Sequence, residues 1–495
     1  MKVILRADAS AAIGTGHFMR SLTLAAACAR RADVVLATNA PAALLDHAKR
    51  QGVAVVPIAR PHPDPADVSE TTRLIPAAGD CWVVADGYHF DAAFYHACRD
   101  AGARVMAIDD SVRLPCYDVD ALLDQNLGAA RNSYVAAPAT RLLLGPTFSL
   151  LRPEFARTRL RETPAADARR LLLTFGGSDP GRLTFQVLAA LKNVPGRFST
   201  TVLVGAANPN RRELDEIARS MTDVQILIDP ADLPAVMANA DLAISAYGGT
   251  LWELACIGVP TLVISSGDQL YYMAKMLDAY GSHRWLGDAE PLEHGEIVEA
   301  LTTLAADAPG RAIMRRLGQA LVDGEGATRV SDALLREPGE WGVRPARHGD
   351  AEPIWEIMSD PSVRQQSFQP EEFAFPSHER WFRQRLARVK SHFWVIERDA
   401  TVGGMIRYDH QPSGVFINFA VATPLRRRGL GTRLLADTWA SACRLFNVDR
   451  VRGVVLRGNE PSCRAFLRAG FVEVAPEMHQ GRPCHVFERT VADAS

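Results

Sequence analysis

A glycine turn near the N-terminus gathers side chains that bind phosphate and transfer protons. The stretch Gly14-Thr15-Gly16-His17 follows a short apolar run and opens an Ala/Leu-rich segment. This order of strand, glycine turn and helix is typical of a phosphate-facing loop, where helix N–H groups point at the ligand. His17 and Arg20 lie at the predicted helix start, and Arg6 and Asp8 end the strand. We expect these groups in one crevice, although the glycine pattern alone also fits a structural turn with an exposed histidine.

Polar groups follow three other predicted strands of the first half. Asp86 and Tyr88 come just after the apolar run 82–85, and Asp109-Asp110 ends the next one. Asp124-Gln125-Asn126 is a third such ending. Acids in this position also act as helix caps and turn formers, so a structural role and a functional role both stay open.

Two further glycine turns occur in the second half, each ahead of a predicted helix. They are Gly176-Gly177 and Gly248-Gly249. Their N–H groups, together with the hydroxyls of Ser245 and Thr250, suit a diphosphate. Glu253 lies one turn into its helix and can accept hydrogen bonds from a ribose diol. Together the two turns favour nucleotide binding, whereas either alone would be an ordinary strand-to-helix loop.

Alternating apolar strands and helices predict parallel sheets with helices on both faces. The predicted strands are 2–6, 33–37, 53–57, 81–85, 104–108 and 119–123 in the first half, and 171–175, 201–204, 225–228, 241–245 and 261–264 in the second. We therefore predict an α/β chain with an N-terminal Rossmann-like lobe at 1–150 and a second at 151–336. The chain is expected to cross between the lobes near 152–155.

Composition narrows the class of protein. A chain of 495 residues is too long for one core, and its net charge of −2 gives no reason to expect nucleic acid as a partner. No apolar run reaches the roughly 20 residues of a membrane helix. The eight cysteines form no C-x-x-C pair, and the N-terminus lacks the shape of a signal peptide. The expectation is a cytoplasmic protein with reduced, buried thiols and no membrane partner.

The C-terminal part, 342–495, carries a glycine loop of another pattern. It reads Arg426-Arg427-Arg428-Gly429-Leu430-Gly431-Thr432 and opens an amphipathic helix to about Phe446. Successive N–H groups at such a helix start can bind a pyrophosphate. The alternative is a solvated basic turn.

Taken in order, the motifs of the first 336 residues resemble the UDP-sugar hydrolase family of pseudaminic acid biosynthesis, which has the glycosyltransferase-B architecture of two Rossmann-like lobes. The residues that carry the resemblance are Arg6, Asp8, Gly14, Gly16, His17, Arg20, Asp86, Tyr88, Asp109, Asp110, Gly145, Pro146, Gly176, Gly177, Ser178, Asp179, Gly248, Gly249, Thr250, Glu253, Asp323, Gly324, Gly326 and Arg329. Where the family often carries Asn-Gln, this chain reads Gly267-Asp268-Gln269. Asp268 and Gln269 are thus weaker candidates for substrate contact.

This resemblance implies a UDP-sugar substrate and metal-independent hydrolysis of UDP-2,4-diacetamido-2,4,6-trideoxy-β-L-altrose by C–O cleavage with inversion. Such a reaction needs a positioned water and a base near neutral pH, and an unperturbed histidine has a pKa of about 6.5. We expect His17 to be the base and Asp8 to orient its imidazole, while Asp86 and Tyr88 bind the sugar.

The C-terminal part resembles the GNAT acetyltransferases, whose R-x-x-G-x-G loop binds coenzyme A. Beyond the loop, the resemblance rests on a strand at 451–456 and on Asn459, Ser462, Phe466 and Gly470-Phe471 at the family's spacing. It implies acetyl-CoA as co-substrate, with Phe419 and Val421 on the strand that pairs with pantetheine. Many members carry a tyrosine where Phe466 stands, to protonate the leaving thiolate. Here another group or water serves, or the domain is impaired.

His378 and Glu460 are candidate proton handlers of this domain, with packing or capping as the alternative for each. The leading hypothesis is a bifunctional enzyme that acetylates a UDP-4-amino sugar and then removes UDP. Two alternatives stay open. One is a glycosyltransferase of the same architecture with a sugar-modifying GNAT domain. The other is a nucleotide-sugar sensor with a degenerate GNAT domain.

Overall fold

The protein forms two compact units, Met1–Leu335 and Arg336–Ser495. The computed structural model describes residues 1–491 except 11–12, 130–133, 138, 161–163, 178, 180, 206–207, 266–267, 291, 337–338, 387–389 and 399–400, and except the side chains of 268–272 and 348. The first unit contains two parallel sheets and the second a mixed sheet. The predicted class, two Rossmann-like lobes followed by a GNAT-like α/β domain, is confirmed.

The first lobe is a seven-stranded parallel sheet in the order β3-β2-β1-β4-β5-β6-β7. Its strands are β1 Lys2–Ala7, β2 Asp33–Thr38, β3 Ala54–Pro57, β4 Cys81–Asp86, β5 Arg104–Ile108, β6 Ala121–Asp124 and β7 Arg141–Leu144, and its helices are α1 Gly16–Cys28, α2 Ala42–Arg50, α3 Pro65–Thr72 and α4 Ala92–Asp100. Chain order reverses between β1 and β4, where an open α/β sheet has its ligand crevice. The pair Ala7–Asp86 ends the β1–β4 ladder, so Asp86 and the loop before α1 meet there.

The second lobe repeats this arrangement with six parallel strands in the order β10-β9-β8-β11-β12-β13. Its strands are β8 Arg170–Thr174, β9 Ser199–Val204, β10 Val224–Ile228, β11 Leu242–Ala246, β12 Thr261–Ser265 and β13 Arg284–Asp288. The helices are α5 Pro153–Arg157, α6 Leu183–Leu191, α7 Arg211–Arg219, α8 Leu233–Ala238, α9 Gly249–Ile257, α10 Asp268–Tyr280, α11 His294–Ala306 and α12 Ala308–Leu321. The order reverses between β8 and β11, so both predicted glycine turns lie at the crevice of this sheet.

One more helix, α13 Gly326–Leu335, lies within the range 151–336 that the sequence analysis assigned to the second lobe. We expected it to complete the second lobe. Instead it packs against α1, and Val330 and Leu334 are fully buried in the core of the first lobe. The chain therefore crosses between the lobes twice. Gly326 lies at the second crossing, where an added Cβ would come within 2.1 Å of the Ser149 carbonyl oxygen.

The second unit is a seven-stranded sheet in the order β14-β15-β16-β17-β18-β20-β19. Its elements are β14 Gly342–Pro345, α14 Ala351–Ser359, α15 Pro361–Arg364, α16 Phe375–Leu386, β15 Ser391–Arg398, β16 Thr401–Gln411, β17 Gly414–Val421, α17 Leu430–Phe446, β18 Arg450–Leu456, α18 Glu460–Arg468, β19 Val472–His479 and β20 Arg482–Thr490. All neighbouring strands are antiparallel except β17 and β18. That parallel pair is joined only at Phe416–Arg452 and Ile417–Gly453, so the two strands diverge beyond it.

In the described part of the chain, no helix is long and apolar enough to cross a bilayer. All eight cysteines are free thiols, and Cys116 alone among them is exposed. The buried thiols agree with the expectation from the sequence, except at this one position.

Candidate active sites

A buried carboxylate organises the crevice of the first lobe. His17 is 7% exposed, and its Nδ1 lies 2.7 Å from Asp86 Oδ1. Arg20, one turn further along α1, donates to both oxygens of Asp86 from Nε and Nη2 at 2.6 Å. Its remaining nitrogen, Nη1, donates to Asp110 at 2.6 Å. Two strand ends and one helix start thus converge on a single network.

The charges of this network decide the tautomer of His17. Burial alone would raise the pKa of Asp86, but Arg20 and His17 outweigh it and hold that pKa well below its usual range. The carboxylate is therefore ionised at neutral pH and acts only as an acceptor. His17 Nδ1–H therefore donates to Asp86, which places the proton on Nδ1 and leaves the free lone pair on Nε2. An imidazole held this way is suited to take a proton from water.

Asp8, the residue expected to orient His17, makes other contacts. Its oxygens accept from Arg6 at 2.5 and 2.8 Å and from the backbone N–H of Asn39 at 2.6 Å. His89 Nε2 lies 3.2 Å from it. Residues two apart in a strand lie on one face, which is why Arg6 and Asp8 meet. The expectation for Asp8 is therefore corrected: Asp86, not Asp8, orients the imidazole.

Arg6 is a buried cation shared by two carboxylates rather than a side chain open to ligand. It is 0% exposed, and its Nε also donates to Asp67 of α3 at 2.9 Å. Asp8 is 1% exposed. In this conformation both residues, which we expected in the ligand crevice, instead form buried ion pairs at the end of β1.

We expect Arg6→Met to destabilise the first unit by about 3–5 kcal/mol, because it leaves two buried carboxylates without their cation. Urea unfolding of the full chain measures the change. Arg182→Met is the matched control, since its pair with Glu213 is as short, 2.6 Å, but about half exposed; exposed pairs contribute roughly 0–1 kcal/mol. Equal losses in the two variants would contradict the buried-pair interpretation.

Tyr88 is the accessible side chain of this group. It is 57% exposed, and its ring meets the His17 ring edge-on with centroids 4.7 Å apart. Asp86, predicted as its partner in binding sugar, is fully buried and held by His17 and Arg20. Of the two, Tyr88 alone is open to a ligand.

The glycine turns of the second lobe leave room at its crevice. Gly248 precedes α9 with no side-chain cap, and added Cβ atoms at Gly177, Gly248 and Gly249 would meet nothing within 4 Å. Gly205, by contrast, packs so tightly that its Cβ would lie 2.5 Å from the Gly177 carbonyl oxygen. The start of α9 therefore has no side-chain cap and has open space beside its two glycines, whereas the loops at Gly177 and Gly205 pack closely on each other.

The other predicted contacts of this lobe are placed as follows. Ser245 is buried at the end of β11 and donates to the Ala246 carbonyl at 3.1 Å. Thr250 and Glu253 are half-buried on α9. Burial raises the pKa of Glu253 to about 7, against the opposing charge of Arg152. The side chains of Asp268 and Gln269 lie outside the described residues.

Sequence reasoning missed the contact between the two crevices. Tyr247, which directly precedes Gly248, donates to Asn126 of the first lobe at 2.9 Å. Asn126 appears in the sequence as part of a polar strand ending, but nothing local predicts a partner in the other lobe.

The second unit has a glycine loop at the start of α17. Gly429 has φ +79°, a conformation that favours glycine, and caps α17 without a side-chain hydrogen bond. Arg426, Arg427 and Arg428 are exposed beside it, and Leu430 is buried. Gly431 packs on the Phe419 ring, 3.0 Å from its added Cβ, and Val421 and Thr432 are half-buried nearby. The first-turn N–H groups of α17 thus lie beside three cations.

Three predicted contacts of this unit have structural partners. Asn459 caps α18 by accepting from the Ser462 N–H at 3.3 Å. Phe466 is 2% exposed and stacks on Phe487 at 5.1 Å. It fills the space above Gly453, whose Cβ would lie 2.2 Å from the ring. Phe466 is therefore a core residue that reaches the diverging strands through an edge contact with Phe419 at 5.6 Å.

His378 has the packing role that was the alternative to proton handling, and Glu460 lies in the first turn of a helix. His378 is 3% exposed within an aromatic cluster, where burial lowers its pKa. Glu460 is exposed in the first turn of α18, 4.0 Å from Arg464. Among the described residues, no group of three or more His, Cys, Asp or Glu side chains is arranged to hold a metal ion.

The comparisons with known proteins match the C-terminal part of the chain to one family and show other relatives for the chain as well. Residues 342–472 match the family model of the acetyltransferase (GNAT) domain. The chain is 27% identical over 340 residues to the spore coat polysaccharide biosynthesis protein SpsG of Bacillus subtilis, which covers 68% of this chain and 98% of that protein. It is 23% identical over 253 residues to the UDP-2,4-diacetamido-2,4,6-trideoxy-beta-L-altropyranose hydrolase of Campylobacter jejuni, covering 50% of this chain and 85% of that enzyme.

Among solved structures, yncA of Salmonella typhimurium, a putative acetyltransferase with its cofactor acetyl-CoA, aligns with 18% identity and a TM-score of 0.27, covering 30% of this chain and 94% of that one. Both resemblances drawn from the sequence are confirmed. The chain carries a C-terminal GNAT acetyltransferase domain joined to two Rossmann-like lobes that are homologous to a UDP-sugar hydrolase and to a spore-coat polysaccharide biosynthesis protein.

Proposed function

We propose that the chain is a bifunctional enzyme of nucleotide-sugar biosynthesis. Its GNAT domain transfers acetyl from acetyl-CoA to the 4-amino group of a UDP-4-amino-trideoxy sugar. Its two lobes then hydrolyse the UDP-2,4-diacetamido product with inversion, as in pseudaminic acid biosynthesis. The observation that carries the hydrolase half is the ionised, buried Asp86 that holds His17 at the crevice. The hydrolase relative supplies the substrate class.

In the hydrolytic step, His17 Nε2 takes a proton from a water molecule as the water oxygen attacks the anomeric carbon. The bond from that carbon to the diphosphate oxygen breaks on the opposite face, and its electron pair leaves with UDP. Asp86 stabilises the resulting imidazolium. UDP is a good leaving group and needs no strong acid. The N–H groups at the start of α9 offset the charge on the diphosphate.

Glu253 gives nucleotide binding a pH dependence. With a pKa of about 7, its ionised fraction rises about tenfold between pH 6 and pH 8. Only the carboxylate accepts hydrogen bonds from both ribose hydroxyls, so the affinity for UDP is expected to rise with pH by up to that factor. Calorimetric titration at several pH values measures it.

Glu253→Gln is the control for this prediction. UDP also titrates in this range, but its own ionisation is common to both proteins and cancels in the ratio of their dissociation constants. We expect the ratio of wild-type to variant affinity to rise from pH 6 to pH 8. A constant ratio would remove Glu253 from the ribose site.

The loop and strands of the GNAT domain fit coenzyme A. The uncapped start of α17 and the exposed arginines offer donors to a pyrophosphate. Beyond Ile417–Gly453 the strands separate, so in the described part of the chain the backbone of 418–420 has no strand partner on the β18 side. Acetyl-CoA supplies an activated thioester when bound. Phe466 is a hydrocarbon buried in the core, so we assign protonation of the thiolate to water.

The test is to supply a UDP-4-amino-trideoxy sugar with acetyl-CoA and to follow free thiol and UDP together. We expect thiol first, then UDP, and UDP without acetyl-CoA when the diacetamido sugar is supplied directly. Release of UDP only with an added sugar acceptor would instead identify a glycosyltransferase. Binding without either product would identify a sensor.

A further inference from the structure

A hydrogen bond links the loop before α9, residues 247–248, to the first lobe. Tyr247 stands between the last residue of β11 and Gly248, and its hydroxyl donates to Asn126 Oδ1 at 2.9 Å. Its ring also meets the fully buried Trp252 ring edge-on, with centroids 6.3 Å apart. The side chain is thus held by its own lobe at the ring and by the other lobe at the hydroxyl.

From Asn126 the hydrogen bonds continue to the catalytic imidazole. Asn126 Nδ2 donates to the Asp110 carbonyl at 3.2 Å. The Asp110 carboxylate accepts from Arg20 at 2.6 Å, and Arg20 donates to Asp86. Asp86 in turn holds His17 at 2.7 Å. The loop before α9 and the imidazole on α1 are therefore joined by one unbroken chain of contacts.

The two lobes also approach each other closely beside this bridge. Gly128, two residues after Asn126, has φ +93°, and its added Cβ would lie 2.6 Å from the Met276 sulfur on α10 of the second lobe. Burial raises the pKa of Tyr247 far above its usual range, and the charges of Asp110 and Asp124 add to this. The hydroxyl therefore keeps its proton and remains a donor to Asn126.

We infer that Tyr247 is a positioning residue for His17, acting through Asn126, Asp110 and Arg20, and that it makes the orientation of the imidazole respond to nucleotide bound at the loop of the second lobe. The inference rests on the proposed hydrolysis of a UDP-sugar. The physical reason is that a diphosphate seated on the N–H groups of Gly248 and Gly249 restrains the residue next to them. That restraint passes along the chain of hydrogen bonds to Asp86.

The kinetic test uses Tyr247→Phe and Asn126→Ala in the full chain with the UDP-2,4-diacetamido sugar. Each is expected to lower kcat by between about 10-fold and 100-fold, the size of effect a small misplacement of a reacting group produces. Affinity for UDP should change less than about threefold, because the hydroxyl that is removed bonds to Asn126 and not to the glycine turn. The double variant should be no slower than the slower single variant, since both break one link. Additive losses, or an unchanged kcat, would overturn the inference.

Tyr280→Phe is the matched control, because Tyr280 is also a largely buried tyrosine of the second lobe but lies at the end of α10. It is expected to keep the wild-type kcat. A loss in this variant as large as that in Tyr247→Phe would show that any buried hydroxyl of this lobe matters, and would overturn the assignment.

A binding readout separates this inference from the proposed reaction. The ring resonances of ¹⁵N-labelled His17, identified by their absence in His17→Ala, should shift when UDP is added to the wild type and stay unchanged in Tyr247→Phe. Bound UDP with a responding His17 but no hydrolysis would refute the reaction and keep the coupling. Bound UDP with a silent His17 in the wild type would refute the coupling, and no UDP binding at all would refute both.

Discussion

His17→Ala is expected to abolish measurable UDP release, lowering kcat by about 10²–10⁴-fold, the usual contribution of a general base. UDP binding should persist, because the glycine loops proposed to hold the diphosphate belong to the second lobe. The measurement is UDP release from the diacetamido sugar, paired with calorimetric titration of UDP. His17 is 7% exposed, so thermal unfolding of the variant checks that the first unit remains folded.

Two variants sharpen this result. His96→Ala removes an exposed histidine of α4 and should leave turnover unchanged. Asp86→Asn keeps the shape but allows the other tautomer of His17, so kcat should fall while binding of UDP survives. A His17→Ala protein that still turns over would remove the imidazole from the mechanism, whatever Asp86→Asn does.

Gly429→Glu is expected to lower kcat/KM for acetyl-CoA by at least about 100-fold. A side chain at φ +79° costs about 1–2 kcal/mol. A carboxylate about 4 Å from a pyrophosphate adds about 4 kcal/mol of repulsion near a protein surface. Most of the effect should appear in KM, and release of UDP from the ready-made diacetamido sugar should be unaffected. Free-thiol formation and UDP release measure the two activities separately.

Gly481→Glu is the control for backbone strain and added charge at a position away from the loop before α17. Gly481 has φ +74°, and its added Cβ, like that of Gly429, would meet nothing within 4 Å. It lies in the β19–β20 turn, so this variant carries the same strain and charge away from α17. If both variants lost acetyl transfer equally, strain in the domain would explain the result. If Gly429→Glu also lost hydrolysis, the two activities would not be independent.

The strands that the sequence predicts well are those buried on both faces. A continuous apolar run such as 81–85 identifies its strand directly, and β4 is observed at Cys81–Asp86 with every residue buried. The sequence analysis did not predict β7, β13, β14, β19 or β20, and all of these except β20 lie at a sheet edge. An edge strand is often short, or mixes apolar and polar residues, because no other strand pairs with one of its sides. β19, for example, contains Pro476.

The sequence alone could not show which partner each acidic residue at a strand end contacts. Asp8 and Asp86 both follow strands of the right type, and either can reach α1 in principle. The β1–β4 pairing and the presence of Asp67 on α3 determine that Arg6 takes Asp8 and leaves His17 to Asp86. Both contacts are between residues about 60 to 80 positions apart in the chain. A local sequence pattern cannot predict contacts over that separation. By contrast, the cap made by Asn459 and Ser462 is local, and the capping preference of asparagine predicts it.

The return of α13 to the first lobe has a consequence for dissecting the protein. The first lobe, which carries His17, is assembled from two stretches of chain that are separated by the whole second lobe. The second of these stretches contributes Val330 and Leu334 to the core of the first lobe. A single proteolytic nick therefore cannot liberate it intact. A fragment ending before residue 326 would lack α13, which packs on α1. Such a fragment would expose an apolar surface and is expected to aggregate. A fragment made to express the first unit alone should run through Leu335, and the reciprocal fragment should begin at Arg336.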